Sequence, residues 1–213
     1  MTQADTGFGS ASPNGQSPTG HPVAVVEATR RVGEALLRTD LPAEELQDIA
    51  AQLDAIAARL AVGAPSHEQV ADELRGWKRP PEHDPASGAR NVVAPPLRLV
   101  GDGPRTMIGE VTLNWLHHGP PHHAHGGVSA LILDHALGVC NGWAGKPGVT
   151  ASLTMTYHRM TPLNVPLTVR TECLSIEGRK IRTVGSIEHE GQVCVSAEGL
   201  FIALPGMQQP EQD

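Results

Sequence analysis

Aromatic side chains are scarce in this 213-residue chain: phenylalanine, tryptophan and tyrosine make up 3%, with a single tyrosine. A surface that stacks bases needs more rings than that, and a formal net charge of -7 repels phosphate backbones. Both features speak against nucleic acid as a partner. No window approaches the roughly 18 consecutive apolar residues of a membrane span. The first twenty residues carry neither a basic start nor an apolar stretch, so no secretory signal is read there. Cysteine is sparse too. Cys140, Cys173 and Cys194 are odd in number and share neither metal-ligand spacing nor a disulfide framework. A reducing, cytoplasmic setting fits that usage.

Glycine (23) and proline (18) are plentiful, and they punctuate the chain into sections. Residues 1–20 lack the apolar content to order themselves and read as a disordered tail. Residues 21–63 predict a helical hairpin. Pro22 opens its first helix, with Val25, Val32 and Leu36 at helical spacing. Asp40 is placed to cap the second, followed by Pro42, Glu44 and Glu45. Leu46, Ile49, Leu53, Ile56 and Leu60 then form a narrow seam, expected to pack on the hairpin itself or on the following domain. In residues 64–96, Ser66 and Gln69 spell a capping box for a short helix to about Gly76, and a proline-rich linker follows. Residues 205–213 are a second tail.

Residues 97–204 have a different texture. Leu97–Gly101 and Arg105–Leu113 read as strands, and an apolar helix runs from about Gly127 to Cys140. Four more strands follow at Val149–Arg159, Leu167–Ile176, Lys180–Glu188 and Val193–Leu204, with Glu177-Gly178 and Glu190-Gly191 as tight turns. This order predicts an α+β domain in which an antiparallel sheet wraps around one long helix. That helix opens with His125-Gly126-Gly127 and carries one carboxylate, Asp134, in an otherwise oily run. A carboxylate in such a place is expensive unless it is used, so Asp134 is the leading site candidate.

Several features together resemble the hotdog-fold acyl-coenzyme A thioesterases, closest to the PaaI-like and THEM-type groups. His125-Gly126-Gly127 is followed nine positions after the histidine by Asp134, and sixteen residues beyond by Thr150 in Val149-Thr150-Ala151-Ser152-Leu153. Thr156-Tyr157, Arg159-Met160-Thr161-Pro162-Leu163 and Ile176-Glu177-Gly178-Arg179-Lys180 complete the match, which covers roughly residues 97–204. One departure is Gly119, where many relatives carry Asn or Gln. The resemblance implies hydrolysis of acyl-coenzyme A to free acid and coenzyme A, without metal or redox cofactor. It makes Asp134 the catalytic carboxylate, acting as general base or nucleophile, and Thr150 its assistant.

A helix N-terminus offers unpaired N–H groups to a developing oxyanion. The Gly127 N–H is the expected donor, with His125 fixing the turn. Gly126, Val128 and Ser152 are expected to line the acyl slot, and Arg159, Arg179, Lys180 and Arg182 to meet the phosphates of coenzyme A. Gly127 and Asp134 are seven residues apart, about 10 Å along one helix. One carbonyl carbon cannot reach both. Two antiparallel copies can present them together, which predicts a homodimer, or a dimer of dimers, with sites across a two-fold axis.

Two other functions fit the same outline: a hotdog dehydratase or hydratase, and a non-catalytic acyl-coenzyme A sensor. A zinc site among His117, His118, His122, His123 and His125 is disfavoured, because no helical i, i+4 pair and no nearby cysteine or acid accompanies them.

Overall fold

The computed structural model describes residues 22–66, 68–70 and 82–204. The tails at 1–20 and 205–213, and most of the short helix expected after Ser66, lie outside them. At the start of that helix, the Ser66 N–H donates to Gln69 Oε1 at 2.7 Å, and the Gln69 N–H to Ser66 Oγ at 3.2 Å.

Six antiparallel strands form one sheet: β1 (Arg98–Gly101), β2 (Thr106–Thr112), β3 (Val149–Tyr157), β4 (Pro166–Glu177), β5 (Lys180–His189) and β6 (Gln192–Ile202). Their spatial order is β1-β2-β4-β5-β6-β3, which leaves β3 on an edge. The β5–β6 turn takes positive φ at both Glu190 (50°) and Gly191 (72°), the geometry that matches the twist of the strands it joins. Two of the domain's helices, α1 (Pro22–Leu36) and α2 (Ala43–Ala61), precede the sheet, and α3 (Gly126–Trp143) lies across it. This is the hotdog arrangement.

The helix α3 is oily on every side, yet the sheet buries only one stripe: Ser129, Ile132, Leu133, Ala136, Leu137, Cys140 and Asn141. These positions recur at three and four, as one helical face must. Leu137 sits over Gly185 and Gly199, where an added Cβ would meet its methyls at 3.0 and 3.1 Å. Bare backbone in β5 and β6 thus lets the helix approach closely. The helix outruns the end expected near Cys140 and passes through Gly142. The Ala144 N–H closes on Cys140 O at 2.9 Å, and the helix stops at Trp143, before Gly145 with φ 84°. All three cysteines are buried and free.

Two expectations for the N-terminal half need correcting. Asp40 does not cap α2, which begins after Pro42 with no side-chain cap. Nor does the hairpin cover its own seam: α2 has no buried residue, and Ile49, Leu53, Ile56 and Leu60 are 37–60% exposed. Instead, α1 holds the domain. The Arg30 guanidinium donates to the carbonyls of Asn91, Val92 and Ala94 at 2.8–3.1 Å. Residues 82–96 are therefore no free linker. They form a strap with Ala86 and Ala94 buried, stitched to α1 on one side and α3 on the other.

Candidate functional site

The only acid of α3 projects from the side that the sheet leaves open. Asp134 is half-buried, and its Oδ1 accepts the Thr150 hydroxyl at 2.8 Å. Thr150 reaches it from the start of β3, where the pairing with β6 slips between Thr150 and Ser152. The extra residue of this bulge, Ala151, kinks the edge strand and re-aims its neighbours. Among the described residues, the donor to this carboxylate is the neutral hydroxyl of Thr150.

Nine residues earlier, His125 caps α3. Its Nδ1 accepts the Gly127 N–H at 3.0 Å. The N–H expected as the donor at Gly127 is therefore engaged by the His125 ring in this chain. His125 O accepts the N–H groups of Val128 (2.9 Å) and Ser129 (3.3 Å). Among the described residues, the N–H of this first turn left without an acceptor is that of Gly126. A cavity of about 500 Å³ opens beside it, lined by Pro120, His123, Gly126, Tyr157, Arg159 and Met160. The sequence reading missed Tyr157 as a site residue, although its hydroxyl donates to Gly126 O at 3.0 Å.

The remaining candidates divide between two ends of β3. Arg159 lies just past its far end, beside Gly126. Arg179, Lys180 and Arg182 lie near its start: Lys180 pairs with Ile202 and Arg182 with Leu200, the β6 partners of Val149 and Ser152. Ser152 is exposed on β3, whereas Val128 packs against the core rather than standing free. Within one chain, then, the Asp134 group and the Gly126 group stand apart, near opposite ends of β3.

Three of the loop histidines are held by the backbone of their own loop. Nδ1 of His117 accepts from Asn114 N–H, and Nδ1 of His118 and His123 bonds to the carbonyls of Trp115 and Pro121. Among the described residues, no group of three metal-type ligands assembles.

A further constellation escaped the sequence reading because its members are far apart in the chain. His135 Nε2 lies 2.7 Å from Ser87 Oγ, and its Nδ1 lies 3.3 Å from Asp84 Oδ1. The order resembles a serine–histidine–aspartate relay. Its surroundings do not: the Ala86 and Ser87 N–H groups donate to Asp84 Oδ1, and the Gly88 N–H to Asp84 O. The amides of Ala86, Ser87 and Gly88 are thus engaged within the strap rather than turned toward an oxyanion. These bonds clamp the strap onto α3, one residue from Asp134.

Comparison with known proteins gives the family of this fold. A family model described as "Thioesterase superfamily" matches residues 122–196, and one described as "Hypothetical protein RHA1_ro05818, N-terminal helical domain" matches residues 16–75. The crystal structure of protein RHA08564, a thioesterase superfamily protein, is 43% identical, covers 90% of this chain and 93% of its own, and superposes with a TM-score of 0.77. Acyl-coenzyme A thioesterase THEM4 of Mus musculus is 38% identical over 91 residues, 40% of this chain and 38% of that protein. Its Bos taurus counterpart is 36% identical over 89 residues, 40% of this chain and 36% of that protein. The chain thus matches well under half the length of these two curated relatives.

Proposed function

The chain belongs to the thioesterase superfamily, and we propose that it hydrolyses acyl-coenzyme A thioesters to the free acid and coenzyme A. One observation carries this reading. The open Gly126 N–H and the Thr150-held Asp134 carboxylate stand eight residues apart on α3, about 12 Å along its axis. They are an oxyanion donor and a base or nucleophile with space between them.

A thioester carbonyl accepts a hydrogen bond from the Gly126 N–H, which strengthens as the carbon becomes tetrahedral. Asp134 either activates or supplies the attacking oxygen. It either takes a proton from water, whose hydroxide attacks the carbonyl carbon, or attacks that carbon itself to give an anhydride that water then opens. The C–S bond breaks, and coenzyme A leaves as a thiolate that takes up a proton. Thr150 keeps the carboxylate turned toward the reactant.

Because about 12 Å is too far for one carbonyl, the partner's Asp134 completes the site of each protomer. Three features support a second copy. The edge strand β3 is exposed along most of its length. Leu131, one turn before Asp134, is 37% exposed on an otherwise apolar helix. The seam of α2 is also uncovered. Antiparallel pairing would bring the Arg159 end of one strand β3 toward the Lys180 end of the other, so both sets of cations would face one coenzyme A.

A hydratase reading would need a histidine working with the acid. His125 Nδ1 is committed to Gly127, and His135 faces Ser87 and Asp84 rather than Asp134. Hydrolysis is therefore the better-supported chemistry. The test is thiol release across short, medium, long and aromatic acyl-coenzyme A substrates, with Asp134→Asn as control. Failure to release thiol from any of them, or equal release by the variant, refutes the proposal.

A further inference from the structure

We infer that Tyr157 is a positioning residue for the oxyanion donor: it fixes the peptide next to the Gly126 N–H and so sets that N–H's direction. This inference rests on the hydrolytic reading above for its catalytic consequence, and on geometry alone for its structural content.

Tyr157 is the chain's single tyrosine and the last residue of β3. It is 53% exposed, so burial does not explain its orientation. Its ring lies against Gly126 closely enough that an added Cβ would stand 3.2 Å from Cε1 and 3.4 Å from Oη. Its hydroxyl donates to Gly126 O at 3.0 Å. That hydroxyl hydrogen is thereby committed to the backbone, which distinguishes Tyr157 from a proton donor to the leaving sulfur.

The consequence follows from which atoms share a peptide plane. The Gly126 N–H belongs to the peptide joining His125 and Gly126. Its carbonyl, His125 O, is held by two helix N–H groups, those of Val128 and Ser129. The next peptide joins Gly126 and Gly127. Its N–H is held by His125 Nδ1, and its carbonyl is held by Tyr157. Between these two planes lies the Cα of Gly126, which has no side chain to restrict φ and ψ. Two successive glycines would leave this corner soft. The restraint comes instead from outside, with His125 gripping one edge of the second plane and Tyr157 the other. An oxyanion donor is effective only if it already points at the place where charge develops, so holding its plane is worth rate rather than affinity.

The same strand supports the other half-site. Thr150, at the start of β3, holds the Asp134 carboxylate, and Tyr157, at its end, holds the Gly126 turn. Both supports are single hydroxyl donors on one edge strand, so β3 registers each reacting group to the sheet.

The experiment is Tyr157→Phe, which keeps the ring and removes only the hydroxyl. The chain contains two His–Gly peptides, His118-Gly119 and His125-Gly126. Labelling histidine with carbonyl 13C and glycine with 15N therefore isolates two amide signals. The Gly119 N–H donates to His123 O at 2.8 Å and serves as the internal reference. We expect the Gly126 signal in Tyr157→Phe to shift or broaden while Gly119 stays in place. In the same protein kcat should fall about 10-fold with KM within about twofold, less than the loss of a whole oxyanion donor. An unmoved Gly126 signal, or unchanged kcat in an enzyme that hydrolyses acyl-coenzyme A, overturns the inference. If the wild type releases no thiol from any acyl-coenzyme A, the proposed function fails and the catalytic role falls with it. The amide signals then decide by themselves whether Tyr157 holds the turn.

Discussion

The hydroxyl of Thr150 donates to Asp134 Oδ1 at 2.8 Å, tying the edge strand β3 to the one acid of the central helix beside a β-bulge. If this bond orients the carboxylate, its loss should be felt in turnover more than in stability. Thr150→Val, which keeps the shape and removes the donor, should lower kcat about 10-fold, while Thr150→Ser should retain most of it. Comparing the kcat of the two variants checks the role. Equal activity in both would mean that the hydroxyl is incidental.

Asp134→Asn is nearly isosteric and can still accept from Thr150, so the fold and any association should persist. What disappears is the group able to take a proton or form the anhydride. Thiol release should fall by at least about 100-fold, the lower range for removing a positioned acid–base group. Circular dichroism and sedimentation unchanged from wild type, together with lost turnover, are the expected combination. Retained turnover removes Asp134 from the mechanism.

The β-domain was legible because its signals are local. The strand runs, the turn at Glu190-Gly191 and the oily helix each announce themselves within a few residues, and Asp134 stands out as a charge among apolar neighbours. The proposed donor was not legible in the same way. Gly126 and Gly127 differ only in where the His125 ring folds back, and that cap forms in three dimensions. Tyr157, Ser87 and Asp84 were missed because each meets its partner 31 residues away or more: Tyr157 on Gly126 and the other two on His135. The strap at 82–96 read as a linker because its composition is that of one. Its burial depends on the clasp from Arg30 and on His135, neither of which leaves a periodic trace.

His125 ties the first turn of α3 together, so its removal should act on stability as well as on rate. His125→Ala frees the Gly127 N–H and loosens the turn. Loss of an N-cap typically costs about 1 kcal/mol. His125→Asn, whose side-chain oxygen can cap the same N–H, should recover most of that. Thermal melts of the two variants give the comparison, and identical melting temperatures would show that the cap is not needed.

Burial pushes the pKa of His135 below its ordinary 6.5, against the opposing pull of Asp84 and Asp134. Burial does the same to His117, where Arg30 adds to the lowering and Glu34 opposes it. A histidine with a lowered native pKa takes up its proton more readily in the unfolded chain. Its contribution to stability is therefore complete above about 6.5 and is lost as pH falls from there through the lowered native value. The melting temperature should decline over that window. His135→Gln, which leaves an acceptor for Ser87 but cannot titrate, should make the decline shallower and leave the part due to His117. A pH profile indistinguishable from wild type would exclude His135 as a contributor.

The uncovered seam of α2 bears on association. Isolated helices of this length are marginal in water, and most helical stability comes from burying an apolar face. Leu53 lies at the middle of the seam and is 39% exposed. The acids Glu44, Glu45 and Asp48 occupy one end of the helix, and Arg59 the other. A second copy of α2 laid antiparallel would bury the leucines and isoleucines and set each Arg59 near the acidic end of its partner. A parallel copy would stack acid on acid. Leu53→Glu should accordingly weaken self-association, seen as a smaller species in sedimentation velocity. The β-domain should keep its melting temperature, because α2 contributes no buried residue. If the variant sediments like the wild type at every concentration, α2 faces something other than a second copy. The proposed two-fold site would then depend on α3 and β3 alone.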